Sequence, residues 1–175
     1  MSRRFALAGA VMAALSCATA AACGQPPRRS QLGVVSQMVA DTRIEITWRR
    51  PVARGRTLFG VLVPWGKIWT PSADSAARLS LSKPVEINGA LLPAGTYGVW
   101  TIPDSTQWTV VFSKEAAAFH LKYPDGQDAL RVKATPAKGE HVETLSFGFP
   151  VVDADSAVLQ MRWGMTVVPL LIRAR

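Results

Sequence analysis

His141 and Glu143 stand two residues apart in the segment Gly139-Glu140-His141-Val142-Glu143. In an extended chain residues i and i+2 share a face, so the imidazole and the carboxylate would lie side by side. Such a pair orients a general base or supplies two metal ligands. A tight zinc site needs three or four protein ligands and the rest are not evident, so no metal is assigned, and a solvated pair without a chemical role is the competing reading. The other histidine, His120, follows Phe119 and reads as a partly exposed residue at the end of a strand or helix.

The densest chemistry lies between Trp48 and Trp69. Arg49, Arg50, Arg54 and Arg56 are followed there by Phe59, Trp65 and Trp69, and Pro51, Gly55, Gly60, Pro64 and Gly66 interrupt regular structure. A long ordered loop is expected. Guanidinium forks bind carboxylates or phosphates through paired hydrogen bonds, and tryptophan faces stack on sugars or cations. Arg50, Arg56, Trp65 and Trp69, together with His141 and Glu143, are therefore the candidate ligand-binding residues. In the competing structural reading Phe59, Leu62, Trp65 and Trp69 cap one end of the fold, and the arginines pair with the protein's own acids. Arg56, set between Gly55 and the Leu58-Phe59 pair, discriminates: it is either an exposed ligand arm or the buried partner of an acid.

Enzyme signatures are missing: there is no Gly-rich phosphate loop, no Gly-x-Ser-x-Gly elbow and no His-Glu-x-x-His. Both cysteines, Cys17 and Cys23, precede the folded part, which excludes thiol catalysis and an internal disulfide. No cofactor is implied and no catalytic residue is assigned. A binding module therefore leads, ahead of an enzyme using His141 and Glu143 and of a purely structural envelope protein.

These residues must be positioned by strands. Thr42 to Arg49 alternates, with Ile44, Ile46 and Trp48 on one face. Val34 to Ala40 precedes it, with Asp41-Thr42 as the turn. Arg78 to Ser82 and Val85 to Ile87 follow, and Asn88-Gly89 supplies the positive φ angles of a tight hairpin. Thr96 to Ile102, Trp108 to Phe112, Leu130 to Ala134 and Thr144 to Phe149 continue the series. Ala157 to Trp163 and Thr166 to Ile172 bracket an expected turn at Gly164. Pro169 lacks a ladder donor, so the final strand is expected to be an edge or to bulge there. Only Lys114 to Phe119 reads as helical. The fold class is all-β: a single antiparallel β-sandwich or barrel-like domain over residues 34–175.

At 175 residues and 49% hydrophobic the chain supports one core. Residues 1–23 read as a signal segment, with Arg3-Arg4, an apolar run from Phe5 to Leu15 and small residues to Ala22. Ala20-Ala21-Ala22-Cys23-Gly24 resembles a bacterial lipobox without its usual Leu, so Cys23 is a candidate lipidation site, with plain cleavage as the alternative. Residues 24–33 read as a polar tether. The net charge of +8 is spread along alternating strands rather than gathered in blocks. The expectation is an exported protein, periplasmic or lipid-anchored at the outer membrane. It is expected to be monomeric, with no nucleic-acid partner and with an unknown small molecule or envelope component as ligand.

Arg50-Pro51, Gly55-Arg56, the run Phe59 to Trp69, Leu92-Pro93-Ala94-Gly95-Thr96-Tyr97, Thr101-Ile102-Pro103, Trp108 to Phe112 and His141-Val142-Glu143-Thr144 together resemble the bacterial domain-of-unknown-function family 2911. The resemblance runs from about Ser36 to the C-terminal strands and implies an exported, β-rich protein without an established activity. The family usually continues after the motif tryptophan with Arg-Thr-Gly-Ala-Asn-Glu-Ala-Thr. Here Trp69 is followed by Thr70-Pro71-Ser72-Ala73-Asp74-Ser75-Ala76-Ala77. The family's Arg and Glu are absent, and Asp74, the one acid left in the segment, joins the candidate ligand-binding residues.

Overall fold

The computed structural model describes residues 29–175. Cys17, Cys23, the signal segment and half of the tether, residues 24–28, lie outside the described residues.

Ten strands form: β1 (Gln31–Val39), β2 (Thr42–Arg50), β3 (Ala77–Leu81), β4 (Val85–Ile87), β5 (Ala90–Leu92), β6 (Gly95–Ile102), β7 (Trp108–Ser113), β8 (Asp128–Ala134), β9 (Ala137–Val152) and β10 (Ser156–Ala174). The first begins three residues inside the segment read as tether. Two sheets result, a six-stranded one in the order β1-β2-β3-β6-β7-β8 and a four-stranded one in the order β5-β4-β10-β9. Every strand pairing is antiparallel. The arrangement is a sandwich and not a closed barrel.

The alternating pattern decides which side chains meet between the sheets. Ile44, Ile46 and Trp48 of β2 and Leu79 and Leu81 of β3 are buried, and they join Leu145, Leu159, Met161, Trp163, Val168, Leu170 and Ile172 of the facing sheet in one core. Trp48 also links the layers directly. Its indole N–H donates to the Leu145 carbonyl at 3.1 Å, and its ring meets Phe147 edge-on at 5.1 Å. A Cβ on Gly33 would come within 2.8 Å of that indole, so β1 can pass over Trp48 only with a glycine there.

The Asn-Gly hairpin forms as expected, with φ of +48° at Asn88 and +83° at Gly89. Asn88 does more than turn the chain: its Nδ2 donates to the Lys133 carbonyl at 2.7 Å and so ties the β4-β5 turn to β8 of the other sheet. The β1-β2 turn sits one residue earlier than expected, at Ala40-Asp41, with Ala40 at φ +50°.

Three local expectations are corrected. Lys114 to Phe119 forms no helix. Ser113 Oγ accepts from the Glu115 N–H and Glu115 Oε1 from the Ala117 N–H, two short-range bonds that compete with helical ones. The stretch from Lys114 to Tyr123 instead lays Ala118 and Tyr123 over Trp100 and Val111, covering the outer face of β6 and β7. Gly164 makes no hairpin; the chain runs straight through it as β10, with φ +57° and a register shift. Pro169 is neither at an edge nor at a recorded bulge. It falls after the pairing with β9 ends at Val167 and before the pairing with β4 begins at Ile172, where no ladder donor is required.

Candidate functional site

The loop between β2 and β3 folds back on the end of the sandwich through its own backbone. Ala53 N–H donates to the Glu143 carbonyl at 2.8 Å, Val63 N–H to the Leu58 carbonyl at 2.9 Å and Gly66 N–H to the Pro103 carbonyl at 2.8 Å, while Trp69 and Thr101 exchange both of their bonds. Phe59 is the hub beneath this loop. Its ring packs edge-on against Trp69, Trp108 and Trp163 and stacks on Trp65 at 6.0 Å.

Facing the loop is the most irregular part of the four-stranded sheet. Between the pairs Arg162↔Ser146 and Thr166↔Lys138, β10 advances four residues while β9 spans eight. The surplus raises β9 into a hump around His141 and Glu143. Such irregularities re-aim side chains out of the pleat. On the other strand Gly164 lets the loop approach, since a Cβ there would lie 2.9 Å from Leu58 Cδ1.

Loop and hump enclose a cleft of about 430 Å³, lined among others by Arg56, Phe59, Trp65, His141, Glu143 and Trp163. Arg56 and His141 thus share one cleft, along with two more of the candidate residues. Arg56 is exposed, and its guanidinium is fixed by carbonyl oxygens rather than by an acid: Nε donates to Ala53 at 2.8 Å and Nη2 to Val52 at 2.7 Å. The expected pairing of the loop arginines with acids is not what holds Arg56. His141 Nε2 lies 3.8 Å from Glu143 Oε2, with both side chains about half exposed. The other Glu143 oxygen, Oε1, accepts the Arg54 N–H at 2.5 Å. Trp65 is 46% exposed and Leu62 39%, so of the four aromatics and aliphatics expected to cap the fold only Phe59 and Trp69 pack against the core.

The remaining candidates lie elsewhere. Trp69 stands behind the cleft, its indole stacked on Trp163 at 5.9 Å and 8°. Arg50 closes β2 opposite Gln31. Asp74 sits in the connector to β3 at φ +64°, its carbonyl accepting from His120. Neither lines the cleft. Trp163, Met165 and Thr166 do, and nothing in their sequence pattern marks them as site residues. Among the described residues no three His, Cys, Asp or Glu side chains come together as a metal site.

The family model described as protein of unknown function (DUF2911) matches residues 30–172. The chain belongs to this family. The DUF2911 match takes in both walls of the cleft, from the loop to the hump of β9 and Thr166 of β10. Comparison with curated proteins gave no match, and neither did comparison with solved structures. After Trp69 the hydroxyls of this DUF2911 chain serve the frame. Buried Thr70 donates through Oγ1 to the Val99 carbonyl at 2.7 Å and accepts the Ala77 N–H at 3.0 Å, and Ser72 Oγ accepts the Arg49 N–H at 2.9 Å.

Proposed function

We propose that this DUF2911 domain is a binding module that takes an anionic, carbohydrate-like small molecule in the cleft between the β2-β3 loop and the β9 hump. The observation that carries the reading is the convergence of Arg56, His141 and half-exposed Trp65 on one cavity. The two carbonyl bonds fix the plane of Arg56 and use the Nε hydrogen and one Nη2 hydrogen, leaving Nη1 and the second Nη2 hydrogen to form paired hydrogen bonds with an oxyanion. Trp65, backed by Phe59, offers an aromatic surface. Cavities of about 300–1,000 Å³ suit small ligands.

Calorimetric titration with glucuronate and with hexose phosphates tests this. Binding to the native protein that falls at least about tenfold in Arg56→Ala and in Trp65→Ala supports the reading; unchanged affinity in both removes the cleft as the site. Because the Ala53 carbonyl keeps the Arg56 backbone N–H as a donor and the bond to Val52 is exposed, the replacement should lower stability by no more than about 1 kcal/mol, and the binding loss is then not an unfolding effect.

Export to the envelope as a monomer completes the proposal, supported by the signal-like residues 1–23 and by Cys23 before Gly24. Cys23→Ser should move the protein from the membrane to the soluble fraction. A soluble wild type would mean plain secretion.

A further inference from the structure

A second hollow of about 330 Å³ adjoins the cleft, and Trp65, Met165 and Thr166 line both. These three residues form a ridge with a depression on either side. Trp65 is 46% and Met165 53% exposed, so the ridge presents its apolar surface outward. It is also a prepared surface: Phe59 stacks under the indole at 6.0 Å, and a Cβ on Gly60, at φ +90°, would fall 2.6 Å from the indole nitrogen. The ring therefore lies against bare backbone, which restricts its rotamers before any ligand arrives.

Each hollow contributes one cation. Arg56 stands in the first, and Lys138, the β9 residue paired with Thr166, in the second. Among the described residues no hydrogen bond or ion pair engages the Lys138 ammonium. One oxygen of each carboxylate beside these cations is engaged by hydrogen bonds, and among the described residues neither carboxylate forms an ion pair with Arg56 or Lys138. Glu143 Oε1 accepts from Arg54, and Asp104 Oδ1 accepts from the Thr106 N–H, the Thr106 hydroxyl and the Gln107 N–H. Two available cations flanking an aromatic ridge match a linear ligand with an acidic group on each side of a ring that has one apolar C–H face.

We propose that the two hollows form one groove for a linear acidic oligosaccharide, with one uronate-type carboxylate at Arg56, another at Lys138 and a sugar ring on Trp65 between them. This rests on the cleft reading above and extends it from a monosaccharide-sized ligand to a chain. Sugar rings present one C–H face to an indole and keep their charges at the rim, which fits this order of groups better than an acidic peptide, whose carboxylates extend on flexible stems.

The probes are galacturonate and oligogalacturonates of two, four and six units, titrated calorimetrically against the full domain. Affinity should rise at least about tenfold from monomer to tetramer, as joining two subsites requires. Lys138→Ala should abolish that rise with chain length, and Arg56→Ala should weaken every length. Monomer binding that depends on Arg56 but stays flat with chain length would overturn the groove and leave the cleft reading standing. Length-dependent binding that ignores Arg56→Ala would overturn the cleft reading and with it the placement proposed. Equal binding of a neutral glucan hexamer or of hexaglutamate would overturn the choice of an acidic glycan, and no binding of any oligogalacturonate would overturn the proposal outright.

Discussion

The Arg54 N–H donates to the Glu143 carboxylate at 2.5 Å, joining residues 89 positions apart. Glu143 holds the loop a second time through its carbonyl, which accepts from Ala53 at 2.8 Å and from the Trp163 indole at 3.3 Å. One residue therefore fixes the distance between the two walls of the cleft.

Glu143→Gln keeps an acceptor for the Arg54 N–H and should leave stability nearly unchanged. Glu143→Ala removes it and should cost about 1 kcal/mol, given the partial exposure of the bond. Urea denaturation of both variants checks this; equal losses would mean that charge rather than hydrogen bonding holds the loop.

Gly164→Ala should lose about 1–2 kcal/mol from its left-handed backbone alone, with a further loss from the 2.9 Å approach to Leu58. In a double-mutant cycle with Leu58→Ala the second part should vanish, because the crowded atom is gone. Additive losses would contradict direct contact between the two.

Trp48→Phe keeps an aromatic in the core but strands the Leu145 carbonyl that its indole satisfied. A loss of about 1–3 kcal/mol is expected from the unsatisfied acceptor, plus a smaller cavity effect. Trp100→Phe is the matched control, since the Trp100 nitrogen is buried without a partner, and it should cost less.

Stability should decline at both ends of the pH scale. Hydrogen bonds from the Thr106 backbone and hydroxyl and from the Gln107 backbone hold the Asp104 carboxyl below its ordinary range, and Lys83 does the same for Asp41. A depressed carboxyl contributes stability above its unfolded pKa and loses it as pH falls through the folded one, so the decline begins below about pH 4. Burial raises Tyr97, and burial followed by the bond to Asp128 raises Tyr123. A raised phenol contributes stability that is fully present below its unfolded pKa of about 10 and is lost as pH rises through the folded value. Melting curves across pH should flatten on the acid side in Asp104→Asn and on the alkaline side in Tyr97→Phe; limbs of unchanged slope would mean that other groups set them.

The strands that carry a strict period of two were legible, and β2 with Ile44, Ile46 and Trp48 is the clearest. The alanines from Ala116 to Ala118 suggested a helix because propensity is local, whereas hydroxyl and carboxylate bonds to nearby backbone decided the outcome. At Gly164 a signal was present: buried Ala157, Leu159, Met161 and Trp163 occupy odd positions, and Val168, Leu170 and Ile172 even ones. A change of parity along one strand marks a bulge as readily as a turn. Arg56, Trp65, His141 and Glu143 stood out by their chemistry, and the fold brings all four to one cleft. Met165 and Thr166 could not be found this way, because alternation does not reveal which strand a distant loop will face.

Around the hump the surplus length of β9 comes in two steps of two residues, once between Ser146 and Val142 and once between Val142 and Lys138, while a single extra residue lies further along between Val151 and Gly148. A surplus of two keeps the parity of the β9-β10 pairing, whereas a surplus of one would set inward-facing positions of one strand opposite outward-facing positions of the other. The hump is therefore a place where the chain can lengthen or shorten by pairs while the frame on both sides stays in step. Natural variants that differ in length there would exchange one wall of the cleft and inherit the rest of the sandwich intact.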